Sequence, residues 1–496
     1  MLATEATEVR GVDGGGPVEE AGATAREPPL VVDLDGTLIR SDLLVESYLS
    51  LLGADPRAAV AALGALRDGK AAFKARIADA ATVDVATLPF DEDVLALVRA
   101  ARAAGRETHL ASASDHRYVE AVAAHLGLFD GAEGSRDGRN LSGREKADML
   151  AGRFGERGFD YVGDAAVDAA VWSRARTAYA VAPSARLKRR LAREDLTVQP
   201  VGASRGAARA LLKAMRPHQW LKNLLVFAPL AAGHDFALLA GVRALAAFVA
   251  FSLVASSVYL LNDLLDLRSD REHARKRLRP FASGRAPLLP GALLAPVLLL
   301  AGAAVSAFLP WRFGAALAGY YVLTLAYSFQ LKRVMTVDVI ALACLYGARL
   351  VAGGYATDTP LSPWLEALAV FLFLSLALVK RAGELADRIA SGRGDPAGRG
   401  YRLGDLPMVE GMAAAAGYVA VLVLALYFNS AAVGALYAKP HRLWLICVVV
   451  LYWVSRMLMK AHRGEMHDDP LVFATRDPAS QVCGVIAAGA LVAASL

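Results

Sequence analysis

Three aspartates, Asp263, Asp266 and Asp270, stand three and four residues apart in Asn262-Asp263-Leu264-Leu265-Asp266-Leu267-Arg268-Ser269-Asp270, at the end of a long apolar run. On a helix this spacing puts all three on one face. Carboxylates packed together repel one another unless a cation lies between them, and oxygen-only ligands favour magnesium over zinc or copper. Magnesium held by few carboxylates keeps waters and bridges to phosphates. Lys276, Arg279 and Arg285 follow closely and would supply the phosphate counter-charges. Acidic residues at the end of a membrane helix are costly and need a reason. The chemistry implied is loss of a metal-clamped diphosphate leaving group. The bland alternative is a solvated loop of mixed charge.

A second constellation lies near the N-terminus. The short apolar strand Leu30-Val31-Val32 runs into Asp33-Leu34-Asp35-Gly36-Thr37; Ser112 ends a second strand, Lys146 follows Ser142-Gly143-Arg144-Glu145, and Gly163-Asp164-x-x-x-Asp168 follows a third strand. In order and spacing these pieces resemble the haloacid dehalogenase (HAD) phosphatase pattern. A carboxylate nucleophile splits hydrolysis of a dianionic phosphate through an aspartyl phosphate. Asp33 would be that nucleophile, and Asp35 would protonate the leaving alcohol and then activate water. Asp33 and Asp164 would hold magnesium, with Asp168 supporting the metal or its waters. Ser112 and Lys146 would bind the transferring phosphoryl group. A degenerate domain kept for folding or docking is the alternative. Ser114, His116 and Arg117 lie close by, and helix capping by Ser114 or Asp115 is the plain role there.

These groups need two kinds of scaffold. Hydrophobic residues make up 55% of the 496-residue chain, and the mean hydropathy is +0.37, too apolar for an ordinary soluble enzyme. Residues 1–28, rich in Gly, Ala, Thr and Glu without an apolar core, read as a disordered tail and not a signal peptide. Residues 29–183 alternate strands at 30–32, 108–111, 160–162 and 178–181 with helices, which predicts a Rossmannoid α/β domain with a parallel sheet. Ligands of such sheets sit at the carboxyl ends of the strands, where these aspartates fall. A helical insert at about 41–81 would be a small cap over the phosphatase site. Residues 184–215 form a basic connector, read either as an amphipathic surface helix over 203–215 or as a plain linker helix.

Residues 216–496 predict an all-α polytopic membrane bundle. Apolar runs at about 221–233, 237–261, 287–309, 311–328, 335–356, 363–379, 408–428, 440–459 and 479–496 give about nine transmembrane helices. Lys and Arg gather in the loops at 268–285, 332–333, 380–402 and 460–476, which fall on one side if the helices alternate. That side is expected to be cytoplasmic, together with the N-terminal domain and both sites, in a multi-pass protein of the inner (plasma) membrane with its C-terminus outside. The net charge of +6 is thus assigned to membrane orientation and anionic substrates, not to nucleic acid. The three cysteines, Cys344, Cys447 and Cys483, lie within apolar runs, with neither zinc nor disulfide spacing.

Asn262-Asp263-x-x-Asp266-x-x-x-Asp270, then Arg279-Pro280 and Ser283-Gly284, resembles the UbiA superfamily of intramembrane prenyltransferases over about residues 210–496. Four further stretches are similar to its decaprenyl-phosphate phosphoribosyltransferase-like members: 215–223, 327–332, Lys380-Arg381-Ala382-Gly383-Glu384-Leu385 and Asp468-Asp469-Pro470-Leu471-Val472-Phe473. The resemblance implies a phosphoribosyl diphosphate donor and a polyprenyl phosphate acceptor. The magnesium-bound diphosphate then belongs to the sugar, and the lipid phosphate attacks C1 of ribose. It also implies substrate contacts from Lys222, Asn262, Lys332, Lys380, Arg381 and Glu384. Lys380 and Glu384 at i,i+4 are equally a simple helix ion pair. Where many relatives carry a second Asp-x-x-x-Asp, this chain has Asp338 alone as a metal ligand. Arg349 is either a phosphate ligand or the partner of Asp338. An aromatic prenyltransferase, a lipid-binding protein without turnover and a phosphatase acting on an unrelated metabolite are the competing readings.

Overall fold

A computed structural model describes residues 27–203, 206–233, 237–273, 275–396, 399–466 and 469–496. The tail expected over 1–28 lies, apart from its last two residues, outside the described residues, as does Asp468. The chain divides into two compact units, Met1–Leu38 with Phe90–Ser204, and Ile39–Pro89 with Arg205–Leu496.

The first unit is built on a six-stranded, wholly parallel sheet of order β3-β2-β1-β4-β5-β6. The strands are β1 Leu30–Val32, β2 Thr108–Asp115, β3 Gly131–Ser135, β4 Asp160–Gly163, β5 Ala178–Val181 and β6 Gln199–Val201. β1 is central, with Leu30 in register with Thr108 on one side and Asp160 on the other, and all three of its residues are buried. A strand covered on both faces reads as an unbroken apolar run, which is why Leu-Val-Val is legible. β3 and β6 escape the sequence reading for a physical reason. They are edge strands, one Gly-Ala-Glu-Gly-Ser without β-branched residues, the other with Pro200, which only an edge tolerates. β6 carries the sheet past residue 183. The chain order changes direction on either side of β1, so the ends of β1 and β4 bound the crevice where ligands bind in such sheets.

In the second unit, Asp42 caps the helix Leu43–Ala54 through Val45 N (3.0 Å), and Asp55 caps Pro56–Leu63. Leu43–Ala54 is apolar nearly all round and has two faces to bury. Leu51 joins Ala59, Ala62 and Ile77 within the insert. Val45 and Leu49 join Leu260, Leu264, Leu267 and Phe281 among the membrane helices. The insert expected as a phosphatase cap thus packs with the membrane helices as one compact unit.

Seven helices are long and apolar enough to cross a membrane among the described residues: Leu238–Leu265, Leu288–Ser306, Val337–Thr357, Pro363–Ala390, Leu403–Phe428, Pro440–His462 and Pro478–Ser495. The expected nine include two further runs that do not meet this description. Trp311–Phe329 is a helix of 19 residues, but Arg312, Tyr320, Tyr321 and Tyr327 dilute its apolarity. The run at 221–233 is a 3-10 segment Pro217–Phe227 followed by a five-residue helix. That segment lies antiparallel to Leu238–Leu265: Trp220 donates to Ser256 (3.0 Å) and Asn223 to Ser252 (3.0 Å). It also presses on Gly353, where a Cβ would come within 2.2 Å of the Val226 carbonyl oxygen. Small residues admit such backbone contact between membrane helices.

Two candidate active sites, one on each unit

Asp33 follows β1 and Asp164 follows β4, so the parallel register sets them side by side. Oxygens of Asp33, Asp164 and Asp168 all lie within 4.8 Å of one another, the single group of this kind among the described residues. Lys146, buried on the helix Arg144–Phe154, donates to Asp33 (2.8 Å) and to the Tyr161 hydroxyl (2.9 Å). Tyr161 in turn donates to Asp168 (2.9 Å), whose other oxygen accepts from the Asp164 and Ala165 amides (3.2 and 3.0 Å). Asp168 therefore holds the loop that carries Asp164. Gly36 has φ +75°, and a Cβ there would lie 2.3 Å from Asp164 Oδ2, so only glycine lets the Asp33–Thr37 turn pass that carboxylate.

Burial pushes the Asp33 carboxyl up to about 7, against the pull of Lys146, with Asp168 and Asp35 adding repulsion. Burial alone would lower the Lys146 ammonium; the charges of Asp33 and Asp168 outweigh it and hold it above its ordinary value. Three carboxylates facing one lysine leave an excess of negative charge, so the donor set fits a hard divalent cation. On the other side of the site, Ser112 and Ser114 both donate to Asp35 Oδ2 (3.0 and 2.6 Å). The cap of the next helix is Asp115, through Arg117 N (3.1 Å). Ser114 is thus turned toward the site.

The membrane unit carries the second site. Leu238–Leu265 has 28 residues, about 42 Å at 1.5 Å per residue, longer than the hydrocarbon core of about 30 Å. Its last turn therefore lifts Asn262 and Asp263 toward the interface. The helix breaks at Asp266 and restarts as Leu267–Glu272. Arg279 bridges the two segments, donating to Asp263 (3.1 Å) and Asp270 (2.7 Å), and Arg216 also binds Asp263. Asp263 Oδ2 and Asp270 Oδ1 are buried without a hydrogen-bond partner. Such orphaned oxygens are costly, and they fit a cation held beside Arg279. The three aspartates do not close into one three-oxygen group as the helical spacing predicts.

Three further clusters are formed by residues of this unit. Asp469 accepts from Lys222 (2.8 Å), Lys380 (3.4 Å) and the Tyr346 hydroxyl (2.7 Å). The charges of Lys222 and Lys380 overcome burial and hold the Asp469 carboxyl well below the usual range. Asp338 faces Arg381 at 2.6 Å, Tyr327 at 2.9 Å and Arg399 at 3.4 Å, while Arg381 and Arg399 also reach Glu384. Arg349 donates to Asn223 (2.8 Å) and Tyr320 (3.0 Å) and stands over the Tyr320 ring.

Of the two readings of Arg349, the pairing with Asp338 is not made; each has other partners. Asp338 Oδ1 accepts from Tyr327 and Arg399, while Oδ2 faces Arg381 and is buried without a hydrogen-bond partner among the described residues. The alternative Lys380–Glu384 pairing is likewise not made, since Lys380 turns to Asp469 and Glu384 to the arginines. Lys276 is held below its ordinary value by burial and by Arg279, and it lies within electrostatic reach of Asp266, Asp270 and Arg399. Arg285 folds onto its own loop, to Ser283 (3.0 Å) and the Leu278 carbonyl. Lys332 and the Asn262 side chain make no hydrogen bond or ion pair among the described residues. Arg216, Tyr327, Tyr346, Arg399 and Asp469 were not singled out from the sequence as site residues. Arg216, Tyr327 and Asp469 lie inside the quoted stretches, which is the available signal; Tyr346 and Arg399 are joined to the site only by the fold.

A family model described as the UbiA prenyltransferase family matches residues 223–475. The protein y4nM of Sinorhizobium fredii is 38% identical over 476 residues, 95% of this chain and 91% of its own. A decaprenyl-phosphate phosphoribosyltransferase of Mycolicibacterium smegmatis is 40% identical over 190 residues, 37% of this chain and 59% of its own length. The first unit has HAD-like structural neighbours. One, a HAD family hydrolase from Salmonella enterica serovar Typhi, aligns at 16% identity over 35% of this chain and 68% of its own, with a TM-score of 0.26, a likeness of fold alone. With more than half of its residues matched by the family model, the chain belongs to the UbiA prenyltransferase family.

Proposed function

We propose that the membrane unit transfers a 5-phosphoribosyl group from phosphoribosyl diphosphate to a polyprenyl phosphate, and that the first unit then removes the 5-phosphate to leave polyprenyl-phosphoryl ribose. In the transfer, a lipid phosphate oxygen attacks C1 of ribose, and the C1–O bond breaks with its electrons leaving on diphosphate. Asp263 and Asp270, with their unpartnered oxygens, and Asp266 would hold magnesium, which supplies charge neutralisation for the departing diphosphate. Arg216, Arg279 and Lys276 hold diphosphate oxygens in place. Asp338 keeps Arg381 and Arg399 extended toward the donor, and Asp469 does the same for Lys222 and Lys380. The likeness to the mycobacterial phosphoribosyltransferase supports this donor.

In the hydrolysis, an Asp33 oxygen attacks phosphorus and the bond to the ribose C5 oxygen breaks. Asp35 gives that oxygen a proton, then takes one from the water that hydrolyses the aspartyl phosphate. Lys146 and Ser112 neutralise and orient the phosphoryl oxygens, and Asp33 with Asp164 would hold the cation. Both sites are assigned to the cytoplasmic side by the lysine- and arginine-rich loops.

The observation that carries the coupled reading is the completeness of the phosphatase constellation, Asp33, Asp164 and Asp168 converging with Lys146 on Asp33, in a chain of this family. The likeness to y4nM extends along both units. The test is product analysis with polyprenyl phosphate, labelled donor and magnesium. Wild type should accumulate the dephosphorylated lipid ribose and Asp33→Asn its 5-phosphate; identical products would show the coupling to be wrong.

A further inference from the structure

The helix Ala185–Arg193 of the first unit buries Leu187 and Leu191 in the sheet's core and exposes Arg186, Lys188, Arg189, Arg190 and Arg193. Among the described residues, Arg190 alone of these has an acidic partner, Glu194 at 2.8 Å. The Arg189 guanidinium turns back to the Ala185 carbonyl (3.2 Å). Arg186 and Arg193 have no hydrogen bond or ion pair among the described residues. Like charges at this density repel one another and call for an anion.

Their position says which anion. Ser184, Arg186, Arg189, Arg190 and Arg193 line a cleft of about 750 Å³ together with Asp164. Asp164 belongs to the three-carboxylate group around Asp33. The cleft therefore adjoins the phosphoryl-transfer point through Asp164 and is lined by arginines where the catalytic centre is lined by aspartates. Hydrolysis of one phosphate already has Lys146 and Ser112 and does not need more arginines.

We propose that this cleft is a subsite for a second phosphate of the same substrate: one phosphate reacts at Asp33 while the other, a phosphate or phosphodiester separated from it by a small polar spacer, is held by Arg186, Arg189 and Arg193. Guanidinium forks suit such oxygens by charge and shape. This rests on the coupled reading above, in which the substrate is ribose bearing a 5-phosphate and a phosphodiester at C1, and it makes these arginines specificity-determining.

The experiment uses the full chain in neutral phosphatidylcholine nanodiscs. Phosphate release is compared for ribose 1,5-bisphosphate and ribose 5-phosphate, and the readout is the ratio of their kcat/KM values. The triple variant Arg186→Gln/Arg189→Gln/Arg193→Gln should lower that ratio about tenfold through KM for the bisphosphate, and lysine at the same three positions should restore most of it. An unchanged ratio overturns the subsite. A parallel arm in phosphatidylglycerol nanodiscs separates substrate from lipid headgroup: loss confined to those discs means that the arginines bind headgroups, and this too overturns it. Failure of Asp33→Asn to accumulate the lipid 5-phosphate would remove the coupled reading while leaving the ratio to report on the cleft by itself.

Discussion

Asp338 and Arg381 face each other at 2.6 Å with neither side chain exposed. A buried pair of this kind is strongly destabilised when one partner is removed, by about 3–5 kcal/mol. Arg381 also binds Glu384, so the pair fixes a guanidinium in the C-terminal half of Pro363–Ala390, where the donor is proposed to dock. Asp338→Asn should raise the KM for phosphoribosyl diphosphate about tenfold or more and lower thermal stability, while magnesium half-saturation stays within about twofold of wild type. A large rise in the magnesium requirement would make Asp338 a metal ligand and not a holder of Arg381.

Asp263 belongs to the acidic helix end instead. One of its oxygens serves Arg216 and Arg279 and the other is buried and unpartnered. Asp263→Asn should lower transferase kcat by about 10²-fold or more, the scale of removing a charge-stabilising group at a reacting centre, and raise magnesium half-saturation. Hydrolysis of ribose 5-phosphate by the same preparation should persist, because Asp33, Asp164 and Asp168 are a separate constellation. Parallel loss of both activities would mean that the sites do not work independently.

Glu46 and Arg271 join the helical insert to the membrane helices, with side chains 9% and 5% exposed, and Ser41 donates to the same carboxylate at 2.5 Å. Glu46→Ala leaves Arg271 with the Ala282 carbonyl at 3.2 Å. The change should loosen Leu43–Ala54 by about 3 kcal/mol, read as faster amide exchange across that helix in the full chain. Unchanged protection would show that Val45 and Leu49 hold the insert without the ion pair.

Asp160 gives the first unit an acid limit. Burial would raise its carboxyl, but hydrogen bonds from Arg176 (2.9 and 2.7 Å) and Arg106 (2.5 Å) outweigh it and hold it below the ordinary carboxylate value. A depressed folded-state pKa gives stability that is present above the unfolded value near 3.9 and is lost as pH falls through the folded one. Protection of β4, corrected for intrinsic exchange, should therefore drop below about pH 4. Asp160→Asn should cost about 2–3 kcal/mol at neutral pH and flatten that pH dependence. An unaltered acid profile in the variant would assign the limit to other carboxylates.

What was legible in the sequence follows from how local each constraint is. Asp33, Asp35, Ser112 and Asp164 sit at or just past the ends of strands whose apolar runs are distinct, and parallel register does the rest. The glycine in Asp33-Leu34-Asp35-Gly36-Thr37 is demanded by Asp164, 128 residues later, yet the motif announces it. β3 and β6 were not legible because edge strands need neither an apolar run nor β-branched residues. The partners of Asp338 were hidden because Tyr327, Arg381 and Arg399 come from different helices and loops, and helical spacing pointed instead to Arg349. The insert read as a cap because its place in the chain is a cap's place; only the second apolar face of Leu43–Ala54 hinted at its packing with membrane helices. The count of nine spans counted apolar runs; Trp311–Phe329 and Pro217–Phe227 are the two that do not stand among the seven long, strongly apolar helices.

The central claim is that one chain both makes and trims the lipid-linked sugar phosphate. The most direct measurement is a mass spectrum of the lipid product formed by the full chain and by Asp33→Asn from the same polyprenyl phosphate, donor and magnesium. Wild type should yield polyprenyl-phosphoryl ribose, and Asp33→Asn the same lipid heavier by one phosphoryl group. A common product from both proteins, or no ribosylated lipid from either, would contradict it.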